Sequence, residues 1–288
     1  MRVKIQTIKD IGLYLKAELE GIYPEREIRA ISGIVTKFVT GIPDLHGIYM
    51  ADQEISNLQA VEIIKICREL KTGRPVQYIL GETTFYDCKI MLNSSTLIPR
   101  PETEELVDLI IRENRGYTGN IIDLGTGSGC IAIALAANLA GSKVTGTDIS
   151  GDALQAASEN AGINNVDVSF ITEDILAPFT KITGKAGIIV SNPPYVRDSE
   201  KQLMQRNVLE FEPQIALFVT DADPLVFYRA ILDKAERFLL PGGKIYFEIN
   251  EAMGKAMVTL LESYNCRDIE IVRDLNGKDR IIKAKGYV

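Results

Sequence analysis

The stretch "IIVSNPPYVRD", Ile188 to Asp198, places Asn192, Pro193, Pro194 and Tyr195 directly after an apolar run that reads as a buried strand. Asparagine offers an amide oxygen and two N–H donors, while the two prolines donate nothing and hold the chain extended, so that carbonyls face outward. The result is a rigid row of acceptors. Such a row suits a planar NH2 group, whose hydrogens are taken by the Asn192 side-chain oxygen and the Pro193 carbonyl, leaving the nitrogen aimed out of plane. Tyr195 would stack on that group or wall its pocket. The competing explanation is a purely structural Asn-Pro-Pro turn.

A second signal is "DLGTGSGCIAIALA". The loop Gly125, Thr126, Gly127, Ser128, Gly129 follows a strand and precedes a helix, so the backbone can turn tightly and approach a ligand with no Cβ in the way. A tight strand-to-helix turn alone would also use these glycines. The dinucleotide fingerprint G-x-G-x-x-G needs glycine at position 130, where this chain has Cys130, which weakens a nicotinamide reading. Asp148 ends the next strand, about 20 residues beyond the loop, where a carboxylate can accept both hydroxyls of a ribose. It could instead cap the helix that follows, although Ser150 or Asp152 could do so too. Asp174 repeats the logic one strand farther out, within reach of an adenine amine, or is a solvated loop carboxylate.

These residues require a parallel sheet to bring them together. From about Glu102 onward helices and strands alternate: "ELVDLIIREN", "NIIDL", "CIAIALAANLA", "KVTGTD", "DALQAASENAGI", "VDVSFITED", "GIIVSN", then "PLVFYRAILDKAERFLL", the turn "PGG" and "KIYFEIN". The pattern predicts an α/β domain whose mostly parallel sheet carries helices on both faces, with ligands bound beyond the carboxyl ends of its strands. Before it the apolar residues recur at helical spacing, in "IKDIGLYLKAEL", in a helix opened by Pro24, and after the capping box "SNLQ", with Ser56 as N-cap and Gln59 reaching back. The expected organisation is a helical bundle over 1–75, a linker with a hairpin near Thr83 to Met91 over 76–100, and the α/β domain over 101–288.

Composition narrows the partners. The 288-residue chain is 46% hydrophobic and 25% charged, with a formal net charge of −7. That charge argues against tight, sequence-independent nucleic-acid binding, which needs clustered Lys and Arg to displace counterions. Cys67, Cys88, Cys130 and Cys266 are scattered without a CxxC pair, so neither a zinc site nor a disulfide framework is expected. The single histidine, His46, is far in sequence from the other motifs, which argues against a His-centred triad or metal site. No apolar run approaches the roughly 20 residues of a membrane span, and "MRVKIQTIKDIG" lacks a signal-peptide core, so a cytoplasmic protein is expected.

Together these residues resemble the class I S-adenosylmethionine-dependent methyltransferases that methylate planar amines and amides through an Asn-Pro-Pro-Tyr motif. The segment "RPVQYILGETTFYDCKIMLNSSTLIPRPETEELV", with "LIPRPETE" at Leu97 to Glu104, is similar to the one joining the two domains in the HemK/PrmC family of release-factor glutamine methyltransferases. With "VLEFEPQIALF" and "LLPGGKIYFEIN", the likeness covers about Gly73 to Asn250. It implies a class I methyltransferase, Rossmann-like sheet, S-adenosylmethionine as cofactor, and substrate recognition by the helical domain over 1–75. It also implies methylation of the side-chain amide nitrogen of the glutamine in the GGQ loop of peptide-chain release factors, in translation termination. The implied residues are Asn192, Pro193, Pro194 and Tyr195 at the reacting amide, and Gly125, Thr126, Gly127, Ser128, Gly129, Asp148, Asp174, Ile175 and Asn192 at the cofactor.

Three departures accompany the resemblance. "VTDADPL" stands where the family carries a glycine-rich "GGxDG", "EIN" with Glu251 and Ala252 replaces the usual "EIG" with Gln, and Ile175 stands where an aromatic often lies beside the adenine. The first two are expected to lie outside the methyl-transfer centre, and Ile175 to give apolar packing without ring stacking. Amide nitrogen is a poor nucleophile because its lone pair is delocalised, so the expected mechanism rests on positioning and needs no histidine or carboxylate base. Release factors are the expected partners of a monomer that binds neither membrane nor, stably, nucleic acid. The rival enzyme reading is methylation of an adenine or cytosine amine, which a flipped base presents with the same geometry. A nucleotide-binding regulatory module would explain the glycine loop but leaves Asn192 to Tyr195 without purpose.

Overall fold

The computed structural model describes residues 4–42 and 49–286. His46, which the sequence sets apart from the chemistry, lies outside the described residues. The chain divides into two compact units, Met1–Gly81 with Gln205–Phe211, and Glu82–Met204 with Glu212–Val288.

The first unit is helical. Helices Ile8–Leu19 (α1), Glu25–Thr40 (α2) and Asn57–Leu70 (α3) bury Ile11, Leu15 and Leu19, Ile28, Ile31 and Val35, and Ile63, Ile66 and Leu70 in one core, the helical-spacing residues of the sequence. Pro24 stands immediately before α2 as its N-cap, where a missing N–H costs nothing. The α3 capping box forms: Gln59 N donates to Ser56 Oγ at 3.2 Å and Ser56 N donates to Gln59 Oε1 at 2.8 Å. The short helices Val76–Leu80 (α4) and, later in the chain, Arg206–Phe211 (α8) complete this unit.

The second unit opens with a hairpin, Glu82–Phe85 (β1) and Cys88–Met91 (β2), followed by helix Pro101–Glu113 (α5), which has Pro101 in its first turn with Glu102 and Glu104. Acidic residues there offset the exposed N–H groups of the helix start. The hairpin turns on Tyr86 and Asp87, with φ of 45° and 63°, positive values that side chains seldom adopt. Helix α5 compensates, because Tyr86 N donates to Glu104 Oε1 at 3.0 Å and the Tyr86 hydroxyl to Asp108 Oδ1 at 3.2 Å.

The central sheet has the order β10, β11, β9, β6, β3, β4, β5. Its strands are Asn120–Leu124 (β3), Lys143–Asp148 (β4), Val168–Thr172 (β5), Ala186–Ser191 (β6), Leu239–Glu248 (β9), Arg267–Arg273 (β10) and Asp279–Lys285 (β11). Strands β5, β4, β3, β6 and β9 are parallel neighbours, while β11 runs antiparallel to β9 and β10 to β11. From β3 the chain moves outward through β4 and β5, then returns to β6 on the other side. This reversal opens a crevice at the carboxyl ends of β3 and β6.

Helices Cys130–Asn138 (α6) and Gly151–Ile163 (α7) link β3, β4 and β5. On one face Ile122, Leu124, Ile189, Ile245 and Phe247 pack against helices Val226–Phe238 (α9) and Gly254–Ser263 (α10). Toward the other face Tyr246 meets the end of α5, its hydroxyl donating to Glu113 Oε2 at 2.9 Å. Strands β10 and β11, helix α10 and a small pair, Val196–Arg197 (β7) with Phe218–Val219 (β8), go beyond the elements legible in the sequence. The expected turn at Pro241 to Gly243 is absorbed into β9 as a bulge: pairing jumps from Ala186 opposite Leu239 to Ile188 opposite Lys244. Among the described residues no helix is long and apolar enough to cross a membrane, and no cluster of His, Cys, Asp or Glu is placed to hold a metal.

Candidate active site

After β3 the backbone N–H groups of Gly125 and Thr126 both donate to the Thr147 carbonyl on β4, at 2.9 and 2.8 Å, which folds the loop over the carboxyl edge of the sheet. Gly127, at φ +54°, faces open space where a Cβ would meet no atom within 4 Å. Gly129 is needed for another reason. Its φ is +80°, and a Cβ there would lie 3.0 Å from that of Ala157, so it admits close packing of α6 on α7. Gly125 and Gly127 thus line the cavity, while Thr126 and Ser128 are buried behind it.

Those buried residues brace the loop. Thr126 Oγ1 donates to Asp123 Oδ2 at 2.6 Å, and the Ser128 carbonyl accepts from Asn160 Nδ2 at 3.0 Å. Asp123 is wholly buried and its Oδ1 has no partner in the structure. Burial pushes its carboxyl up to about 7, opposed by the Thr126 hydroxyl and reinforced by the charge of Asp148. Asn160 also holds β2, accepting from Met91 N at 2.8 Å and donating to Met91 O at 3.0 Å.

Asp148 ends β4 with both carboxylate oxygens fixed by backbone donors, Gly127 N on Oδ2 and Ser150 N on Oδ1, each at 2.9 Å. Ser150, not Asp148, caps α7, its Oγ accepting from Ala153 N at 3.2 Å. The Asp148 carboxylate, which lines the cavity, therefore keeps acceptor capacity for a ligand there. Burial raises its carboxyl, against the lowering effect of the N–H groups from Ser150, Gly127 and Ile149. Asp174 lies after β5, with Oδ1 accepting from Leu176 N at 2.7 Å, and Ile175 beside it is buried. The wall between the two acids is apolar: Ile149 and Leu176, half exposed, join Ile175 there.

Asn192 follows β6 and reaches the same cavity, whose volume is about 420 Å³, together with Pro194. Pro193 is buried and does not line it. Tyr195, expected to stack on or wall the pocket, turns away from it: its ring packs against the core under α9 and its hydroxyl donates to Glu248 Oε1 at 2.9 Å. The physical reason is that Glu248, at the end of the neighbouring strand and 1% exposed, needs hydrogen bonds to be buried. The "EIN" departure, expected to lie apart from this turn, touches it, because Asn250 Nδ2 donates to the Tyr195 carbonyl at 3.3 Å and to Glu200 Oε2 at 2.9 Å.

Ser95 and Leu97, Pro213, Ile215 and Ala216, and Phe227, which belong to no chemical motif of the sequence, also line the cavity. The sequence carries no signal for Ile215, which opens the apolar run "IALFV" and reads as core, whereas in the structure it lies on the 3-10 turn Gln214–Ala216 and is 67% exposed. The two lining segments are tied together behind the wall by Arg100 and Glu212, whose Nη2 and Oε1 lie 2.6 Å apart with Glu212 buried. The titratable groups among the lining residues are Asp148, Glu173 and Asp174, all at the end away from Asn192 along the strand order.

Residues 103–211 match the family model described as the methyltransferase small domain. The chain is 43% identical over 281 residues to the release factor glutamine methyltransferase of Flavobacterium psychrophilum, covering 96% of this chain and 98% of that one. It is 42% identical to the protein of the same name from Bacteroides thetaiotaomicron, covering 95% and 98%. A crystal structure of a methyltransferase from Pyrococcus furiosus superposes with a TM-score of 0.51 at 17% identity, covering 81% of this chain and 100% of that one. This last likeness concerns the fold, which is that of the class I methyltransferases.

Proposed function

Because this chain belongs to the release factor glutamine methyltransferase family, we propose that it methylates the side-chain amide nitrogen of the glutamine in the GGQ loop of peptide-chain release factors. It is a protein methyltransferase whose methyl donor is S-adenosylmethionine. The observation that carries the reading is one cavity with a ribose-type carboxylate, Asp148, toward one end and a side-chain amide, Asn192, toward the other.

The residues fit the donor. A volume of about 420 Å³ lies within the roughly 300–1,000 Å³ of small-molecule sites. Gly127 leaves room for close approach, the spare lone pairs of Asp148 suit a pair of hydroxyls, and Ile149, Ile175 and Leu176 form an apolar slot for a planar ring beside Asp174. When bound, S-adenosylmethionine supplies an electrophilic methyl carbon on a positively charged sulfur.

The remaining work belongs to Asn192 and its turn. The Asn192 oxygen, the acceptor that reaches the cavity, takes a hydrogen of the glutamine NH2 group, orients it and raises electron density on nitrogen; the Pro193 carbonyl, expected to take the second, belongs to a residue that does not line the cavity. Pro194, which lines the cavity beside Asn192, cannot donate a competing hydrogen bond, so that acceptor stays unopposed. The amide proton is lost to solvent once nitrogen has gained the methyl group. No titratable group at this end of the cavity is required for it.

Methylation of a nucleobase amine is not favoured, since the relatives are named for release factors. We extend the proposal to a monomer acting in the cytoplasm; the net charge of −7 argues against stable nucleic-acid binding by it. The test is radiolabelled methyl transfer offered in parallel to release factor, duplex DNA and ribosomal RNA, with the modified residue located by mass spectrometry. Label on the release-factor glutamine is the expected outcome. Label confined to nucleic acid would overturn the assignment.

A further inference from the structure

Asn192 can present either face of its amide to the cavity. The two orientations are nearly isosteric, yet only one offers an acceptor. Something must choose between them. Asn192 Nδ2 lies 3.2 Å from Thr103 Oγ1 on α5, and that hydroxyl donates to Glu248 Oε2 at 2.6 Å. A hydroxyl has one hydrogen, so with that hydrogen on Glu248 the Thr103 oxygen can only accept. In its ionised form the Glu248 carboxylate cannot reverse the direction, because it carries no hydrogen to give and its other oxygen accepts the Tyr195 hydroxyl at 2.9 Å.

The geometry points to Glu248 and Thr103 as positioning residues that hold the NH2 of Asn192 inward and its oxygen toward the cavity. This rests on the reading of Asn192 as acceptor for the glutamine amide. Neither residue lines the cavity, so neither touches substrate. Both are buried, Thr103 at 2% and Glu248 at 1% exposure, where a directed hydrogen bond is not exchanged with water. On balance the Glu248 carboxyl is raised, by burial and by the charge of Glu102; the Thr103 and Tyr195 hydroxyls and the charge of Arg280 act the other way, toward the ionised form that the relay uses. The "LIPRPETE" segment gains a function from this. Arg100 ties down the cavity wall through Glu212, Glu104 holds the hairpin turn, and Thr103 aims the amide.

The experiment compares full-length Thr103→Ser, Thr103→Val, Glu248→Gln and Asn192→Ala. Steady-state turnover on intact release factor, calorimetric S-adenosylmethionine affinity and thermal midpoint are measured for each, and hydrogen exchange of the Asn192 side-chain NH2 by nitrogen-15 NMR for the three variants that keep Asn192. Serine keeps the hydroxyl and should retain turnover within about threefold, whereas isosteric valine should lower kcat about tenfold or more with KM and cofactor affinity little changed. Asn192 NH2 exchange should stay slow with serine and quicken with valine. Glu248→Gln should resemble valine, because its amide can donate to Thr103 and free the hydroxyl hydrogen to turn on Asn192.

Wild-type kcat in Thr103→Val beside an impaired Asn192→Ala would overturn the relay and leave the acceptor role standing. Near-normal turnover of Asn192→Ala would overturn both. If serine failed to rescue, and affinity and thermal midpoint fell with kcat, the cluster would be a packing feature only. Should Glu248→Gln not fold, the serine and valine pair still decides.

Discussion

Two side chains at opposite ends of the cavity should fail in opposite ways. Asn192→Ala removes the acceptor but leaves the loop from Gly125 to Gly129 in place, so turnover should fall on the order of a hundredfold while S-adenosylmethionine affinity changes little. Asp148→Ala should raise the cofactor's dissociation constant roughly tenfold or more, the loss of a charge-assisted pair of hydrogen bonds. Calorimetry and initial rates on both variants separate the two signatures, and unchanged affinity in Asp148→Ala would reduce that residue to bracing Gly127 and Ser150. Asp123 gives a pH signature. Its folded value, about 7, is raised above the ordinary 3.8, so its contribution to stability is fully present below the ordinary value and is lost as pH rises through about 7. Thermal midpoints of wild type should therefore fall between pH 5 and 8 more steeply than those of Asp123→Asn, and parallel curves would contradict that account.

At the scale of elements, the hairpin is bound to α7 by two asparagines one helical turn apart. Asn164 pairs with both backbone groups of Lys89, at 3.0 and 2.7 Å, as Asn160 pairs with those of Met91. The side-chain amides imitate a neighbouring strand along β2. Asn160 is fully buried and also holds the Ser128 carbonyl, so Asn160→Ala leaves three backbone groups without partners and should cost roughly 2–4 kcal/mol. Asn164→Ala, at a partly exposed site where water replaces the lost bonds, should cost about 1 kcal/mol. Urea denaturation of the two variants measures the difference, and equal losses would show that burial does not set the strength of the clasp.

For the molecule as a whole, we propose that chemistry belongs to the second unit and release-factor recognition to the helical first unit. A glutamine on a loop tip brings little binding energy of its own. Binding energy from a distant surface can then be used to position it, so a short GGQ peptide should show kcat/KM lower than intact release factor by on the order of a hundredfold. Initial rates on the two substrates with the full-length protein provide the measurement, and equal efficiencies would remove the need for a recognition unit. A second check substitutes Leu58, an apolar residue on α3 that is 83% exposed, by serine. If the first unit holds the release factor through such side chains, KM rises for the intact protein and not for the peptide.

The sequence by itself determined what depends on local chemistry. Periodicity drew α1, α2, α3 and the parallel strands close to their observed bounds, because each must bury one face. Glycine spacing and the strand-ending acids marked the carboxyl edge of the sheet, because positive φ and a strand's end are properties of a few consecutive residues. The Asn-Pro-Pro run was legible for the same reason. Tertiary structure decided which of these side chains face the cavity. Tyr195 points to Glu248 and not into the site, Thr126 and Ser128 brace the loop from behind, and Pro213, Ile215 and Phe227 supply a wall that no motif announced. It also decided the direction of the Asn192 amide, through Thr103 and Glu248, residues 89 and 56 positions away in sequence. A hydrogen bond takes its sense from whichever neighbour has already committed the shared hydrogen, and folding alone brings those neighbours together.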